Sequence, residues 1–213
     1  MLQPSANLFA RRSFVGYIHT MHIISAILVA AILVYPNPID DEPEYAPIVE
    51  RSIDFHDFTL KTLDGEDFNL RRFAEGKKII IVGFIAGWCK NSNENGHIIK
   101  RLADKYRERG LGVVIVAEYS SREDMRIHIG RIGIDYPVVV ETDRRDRRKK
   151  SAHYNYRRQV EDARKWGTPF YVLIDARDIE PRNSSSIARR VYTVSGEIIE
   201  SEAEAFIERV LSK

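Results

Sequence analysis

The sequence predicts an α/β fold, and three observations lead to it. Apolar runs at residues 79–84, 113–117, 138–140 and 170–174 have the length and β-branched content of buried strands. Helical stretches at 93–109 and 122–132 stand between the first three, which suits parallel strands joined by right-handed crossovers. The chain has 213 residues, 44% hydrophobic and 30% charged, enough for one well-cored domain with appendages. A net charge of +2 makes no global statement about partners.

From the N-terminus, residues 1–12 form a short polar tail ending in Arg11-Arg12. Residues 13–35 are mostly apolar and uncharged, and about 20 such residues span a bilayer. Arginines precede this stretch while Asp40, Asp41, Glu42 and Glu44 follow it, so the positive-inside rule places the tail in the cytoplasm and the rest outside. The competing reading is a cleaved signal, since Arg11-Arg12-Ser13-Phe14-Val15 is similar to a twin-arginine signal. No small-x-small cleavage site follows, because the apolar run ends in Val34-Tyr35-Pro36. An uncleaved single-pass anchor is therefore expected.

Residues 36–52 carry Pro36, Pro38, Pro43 and Pro47 among acidic residues and read as an extended spacer. The domain is expected over 53–213. Segments 55–60 and 66–70 flank Asp64-Gly65, a hairpin signal. The run at 79–84 follows, then a helix whose start is expected at Asn91, Ser92 or Asn93 and whose end is marked by Gly110 and Gly112. A helix over 122–132 places Met125 and Ile129 on one face. A strand at 188–194 can pair antiparallel with 170–174, and a helix over 201–211 is expected with Ser201 as its N-cap.

The only cysteine, Cys89, sits where the first strand hands over to a helix. Unpaired backbone N–H groups and the positive end of a helix dipole there favour thiolate over thiol. Lys90 adds a cation, and the Ser92 hydroxyl is spaced to donate a hydrogen bond to the sulfur. The alternative is a buried structural cysteine. With one cysteine no intramolecular disulfide can form. The six histidines are scattered and no His/Cys cluster has metal-ligand spacing, so neither metal nor cofactor is expected.

Gly87-Trp88-Cys89-Lys90-Asn91-Ser92 resembles the Trp-Cys-x-x-Cys turn of thioredoxin-like proteins, with serine in the second cysteine position. Trp166-Gly167-Thr168-Pro169-Phe170 resembles the loop that carries their cis-proline. The chain is similar, from about residue 55 to 211, to the membrane-anchored TlpA/ResA-like branch related to the AhpC/TSA redoxins. That resemblance implies a thioredoxin-like fold with a central mixed sheet flanked by helices and an N-terminal hairpin extension. It also implies Cys89 as nucleophile, Ser92 and Lys90 as its modulators, Trp88 as a shield, and Thr168-Pro169 as the edge that pairs with an extended substrate. Asn95 stands where the branch has an acid, and His97 where it has a proline.

These readings imply single-thiol exchange with protein or low-molecular-weight thiols and disulfides, an outside thiol resolving the mixed disulfide. The alternative is a redox-inactive binding module of the same fold. A one-cysteine peroxidase of the AhpC/TSA type would carry a hydroxyl residue three places before the cysteine, where this chain has Ala86. Residues 143–165 hold ten basic and four acidic residues, clustered at 144–150. Arg144 to Lys150 is read either as a patch for an anionic partner or as a solvated helix. An exported domain leaves no role for nucleic acid there.

Overall fold

The computed structural model describes residues 43–213. The expected tail, the anchor at 13–35 and the first part of the spacer lie outside them. Among the described residues no helix is long and apolar enough to cross a membrane.

The strands are β1 (Tyr45–Ala46), β2 (Val49–His56), β3 (Thr59–Thr62), β4 (Asp67–Asn69), β5 (Ile79–Ile85), β6 (Leu111–Glu118), β7 (Val138–Thr142), β8 (Phe170–Asp175), β9 (Ser186–Val194) and β10 (Glu197–Ile198). The helices are α1 (Leu70–Ala74), α2 (Lys90–Tyr106), α3 (Arg122–Ile132), α4 (Ala152–Gln159) and α5 (Glu200–Leu211), with a 3-10 helix over Arg145–Lys150. Eight strands form one mixed sheet in the order β2-β9-β8-β5-β6-β7-β3-β4. The strands β5, β6 and β7 run parallel, and β8 pairs antiparallel with β5. This is a thioredoxin-like α/β fold.

Every residue of β5 is buried, because alternate side chains enter two cores. Ile80, Val82 and Phe84 meet Val114, Val116, Val172 and Ile174, covered by Leu70 and Ala74 of α1 and Tyr156 of α4. Ile79 and Ile81 face Ile99 and Leu102 of α2 and Phe206 and Ile207 of α5. A smaller cluster seats Met125 of α3 against Ile85, Ile115 and Ala117. Among the described residues five helices thus cover both faces, and from the C-terminal end of β5 the chain passes through residues 86–89 into α2.

Several boundaries differ from the sequence expectation. The spacer ends earlier than residue 52: Tyr45 and Ala46 pair in parallel with Glu197 and Ile198, and Val49 begins a strand on β9. Proline at 47 is tolerated because it falls between two edge strands. Phe55 belongs to β2 rather than to the hairpin, which is formed by β3 and β4 around Gly65 at φ 92°. The helix α5 starts at Glu200 behind Ile199, without the expected Ser201 cap, because the chain leaves β10 directly into its first turn. The span of α3 matches expectation, and Ser121 and Asp124 close a reciprocal capping box at its start.

Ile81 is fully buried and faces α2 and α5. Replacing Ile81 by Ala should cost roughly 2–4 kcal/mol in urea denaturation, through lost burial and a residual cavity. A loss under 0.5 kcal/mol would contradict the two-sided covering of β5.

Candidate active site at the end of the central strand

Cys89 is partly exposed and is itself the N-cap of α2, at φ −80° and ψ 123°. The helix therefore begins at Lys90, ahead of the expected Asn91, Ser92 or Asn93 start. The Asn93 side chain shapes this turn: its Nδ2 donates to the carbonyls of Cys89 (2.8 Å) and Gly87 (3.0 Å). Its Oδ1 lies 2.7 Å from Nδ1 of His128 on α3. An amide oxygen only accepts, so His128 carries its proton on Nδ1. Burial, reinforced by the charges of Arg131 and His97, lowers His128 from 6.5 to about 4 and keeps the imidazole neutral at physiological pH.

The Thr168–Pro169 peptide is cis, and Thr168 lies directly against the cysteine. The Cys89 Sγ–H donates to the Thr168 carbonyl at 3.4 Å. Residues 79 positions apart in the sequence thus meet as the motif pair implied. Trp88 stands beside them, partly exposed, with Nε1 donating to Tyr119 O at 2.9 Å and its ring edge-on to Trp166 at 5.4 Å. Lys90 is exposed at the first turn of α2.

Ser92 does not take the expected position. Its side chain is fully buried, makes no hydrogen bond to the sulfur, and finds no partner among the described residues. The reason is geometric: Ser92 lies on the inner face of α2 with Asn95, Gly96 and Ile99, while the extended backbone of Cys89 turns its sulfur outward to Thr168. Asn95, where the resembling branch has an acid, exchanges two 3.1 Å hydrogen bonds with the backbone of Ile198 and so fastens α2 to β10. His97 is exposed on the helix surface.

The cis-proline loop is held from below by a buried guanidinium that sequence reasoning did not single out. Arg157, 2% exposed, donates to Asp162 Oδ2 (2.9 Å), to Trp166 O (2.9 Å) and to Arg164 O. Arg164 in turn donates to Asp162 (2.8 Å) and to Pro169 O (3.1 Å). Burial alone would raise the Asp162 carboxyl, but the hydrogen bonds and charges of Arg164 and Arg157 prevail and hold it at about 2. Gly167, at φ +64°, is required here, since a Cβ would come within 1.7 Å of the Arg157 guanidinium carbon. His153, neutral through burial, bridges Gly167 O (3.2 Å) to the Tyr119 hydroxyl (3.1 Å), which also meets Ser151. A chain of contacts thus joins the loop, the Trp88 strut and the start of α4.

The basic segment also comes to this site. It forms the 3-10 helix, none of whose residues is buried, as the solvated-helix reading expected, and the Arg145 guanidinium lies 4.3 Å from the Trp88 ring centre. Arg148 stands 5.1 Å from the Trp166 ring and donates to Lys165 O. Lys165 is 5.6 Å from the same ring.

Two outcomes test this architecture. Gly167→Ala should lower unfolding stability by roughly 2–4 kcal/mol, because it either strains a left-handed residue or breaks the buried Arg157–Asp162 pair. For His128, the folded value lies below the unfolded one, so its stabilising contribution is complete above pH 6.5 and is lost as pH falls towards 4. The stability difference between the wild type and His128→Gln should therefore shrink by up to roughly 3 kcal/mol between pH 7 and 4 in matched urea titrations. A difference that stays constant would place His128 outside the neutral buried state.

Known proteins agree with the fold. A thiol:disulfide interchange protein of the thioredoxin family from Chlorobium tepidum TLS superposes with a TM-score of 0.53 at 20% identity, covering 76% of this chain and 97% of its own. The thioredoxin domain of a thiol-disulfide oxidoreductase from Bacteroides vulgatus gives 0.53 at 15% identity, with the same coverage. At these identities the likeness is one of fold. A chloroplastic Arabidopsis thaliana protein bearing a glutathione peroxidase name is 35% identical over 65 residues, which is 30% of this chain. That alignment spans about a quarter of the plant protein, 26% of its length. The Redoxin family model matches residues 52–180, from the second strand past the cis-proline loop, and the chain belongs to the Redoxin family.

Proposed function

We propose that Cys89 carries out single-thiol disulfide exchange with thiols and disulfides of other molecules. The observation that carries this reading is the partly exposed sulfur at the head of α2, 3.4 Å from the Thr168 carbonyl beside a cis-proline. Loss of the Cys89 proton frees that carbonyl, since a thiolate cannot donate, and an N–H of an extended partner can take its place. The thiolate then attacks one sulfur of the partner disulfide. A Cys89–sulfur bond forms as the partner's sulfur–sulfur bond breaks, and the departing thiolate takes a proton from solvent. Only one cysteine is present, so an external thiolate attacks the partner sulfur of the mixed disulfide, restores Cys89 and leaves a new disulfide. Thiols and disulfides balance over the cycle, and there is no net oxidation.

Trp88, next to Cys89 in the chain, and Trp166, two residues before Thr168, pack edge-on at 5.4 Å and flank the two segments that meet at the sulfur, and Lys90 is exposed in the first turn of α2. Ser92 acts on the inner face of α2 as a packing residue, not as a partner of the sulfur. Peroxide reduction has little support in the geometry: Ala86 is fully buried and offers no hydroxyl to a peroxide. The apolar stretch 13–35, with arginines before it and acids after it, supports a single-pass anchor that holds the domain outside the cytoplasm.

Intact mass measurement checks the chemistry. Reduced protein treated with bis(2-hydroxyethyl) disulfide should gain one mixed-disulfide adduct, lose it on addition of glutathione, and gain none as Cys89→Ala. Absence of an adduct under conditions that modify a cysteine peptide would sink exchange and leave a binding module.

A further inference from the structure

The cations around Trp88 and Trp166 are placed as a binding surface for the molecule that reacts at Cys89. Arg145 lies 4.3 Å from the Trp88 ring and 6.0 Å from the Trp166 ring, so one guanidinium covers the indole next to the nucleophile and reaches its neighbour. Arg148 and Lys165 cover Trp166 at 5.1 and 5.6 Å. Trp88 precedes Cys89 directly, and Trp166 stands two residues before Thr168. Three positive groups therefore cover the two indoles that adjoin, in the chain, the cysteine and the cis-proline loop it meets.

None of these three cations has a carboxylate partner among the described residues, whereas neighbouring Arg144 is paired with Asp146 at 2.6 Å and Arg164 with Asp162 at 2.8 Å. A guanidinium held over an indole keeps N–H groups for a two-oxygen acceptor: Arg148 uses Nη1 on Lys165 O, and its other N–H groups and those of Arg145 remain for such a partner. Arg145 and Arg148 are three apart on a 3-10 helix, which has three residues per turn, so they project on the same side. The segment is also fixed: Arg148 donates to Lys165 O, and Ser151, which caps α4, meets the Tyr119 hydroxyl at 3.1 Å. Its charges are thus preorganised over the indoles of Trp88 and Trp166, and a partner pays little to align them.

We propose that the disulfide exchanged at Cys89 carries carboxylates close to its sulfur, and that Arg145, Arg148 and Lys165 bind them while the sulfur reacts. This rests on the exchange reading and specifies its substrate class. The carboxylates can belong to a free low-molecular-weight disulfide or to acidic residues flanking a cystine in an extended protein segment. Both present the same chemistry to the three cations.

The test measures second-order rates of reduced full-length protein with oxidised glutathione, bis(2-hydroxyethyl) disulfide and cystamine, which are anionic, neutral and cationic. A second arm uses two peptide disulfides whose cysteines are flanked by glutamates or by lysines. Each rate is divided by the same protein's rate with the neutral disulfide, so that altered folding or general reactivity cancels. The anionic-to-cationic ratio should fall at least about tenfold in Arg145→Glu/Arg148→Glu, by a smaller factor in Lys165→Gln, and also at high salt. A charge preference in the small-molecule arm assigns the carboxylates to a free disulfide, and one confined to the peptides assigns them to a protein segment. Ratios unchanged within twofold in both arms overturn the proposal while exchange stands. A wild-type protein that reacts with none of the probes overturns the exchange reading and this proposal together.

Discussion

The buried guanidinium of Arg157 is the interaction on which the site depends. Cys89 leaves the end of β5 and Thr168 precedes the start of β8, two strands that are neighbours in the sheet, so the sheet alone brings the two segments near each other. It does not fix the last few ångströms. Residues 160–169 form no regular element, and their carbonyls need donors: Arg157 and Arg164 supply them at residues 162, 164, 166, 167 and 169. The paired Asp162 compensates the charge, and without such a partner a buried guanidinium would cost several kcal/mol. The position of the Thr168 carbonyl is thus the outcome of an internal ion pair, and the sulfur contact follows from it.

Much of the fold was legible because β5 obeys one simple rule. A strand that is apolar at every position must be covered on both faces, and that requirement implied flanking helices and a central place in the sheet. The motif pair around Cys89 and Pro169 then implied the rest, and the sulfur and the loop do meet. Element ends were less legible, since they are decided by contacts distant in sequence. The expected Ser201 cap gave way because β10 delivers the chain straight into α5, and the spacer gave way to two strands because β9 and β10 offered edges to pair with.

Within the site, what was missed was decided by one helix cap and by contacts between elements distant in sequence. Ser92 is spaced correctly to reach Cys89 on a continuous helix, but Cys89 is a cap with extended backbone, and the spacing rule stops at a cap. Asn93 and His128 are ordinary polar residues in sequence, and only the packing of α3 against α2 makes them a pair that ties down the turn. Arg157 looked like one more charge in a basic run. Nothing in that run tells the buried member from the exposed ones, because the distinction is made by the depth to which α4 inserts beneath the loop.

The short 3-10 turn at Arg145–Lys150 has a bearing on how such a protein can diverge. With three residues per turn, adding or deleting one residue ahead of Arg148 rotates it by about 120° relative to Arg145. Relatives with identical amino-acid content in this stretch, yet of different loop length, would present unlike faces above the two indoles. Counting arginines is therefore a poor guide to kinship in ligand preference, and the phase of the turn is the trait to compare.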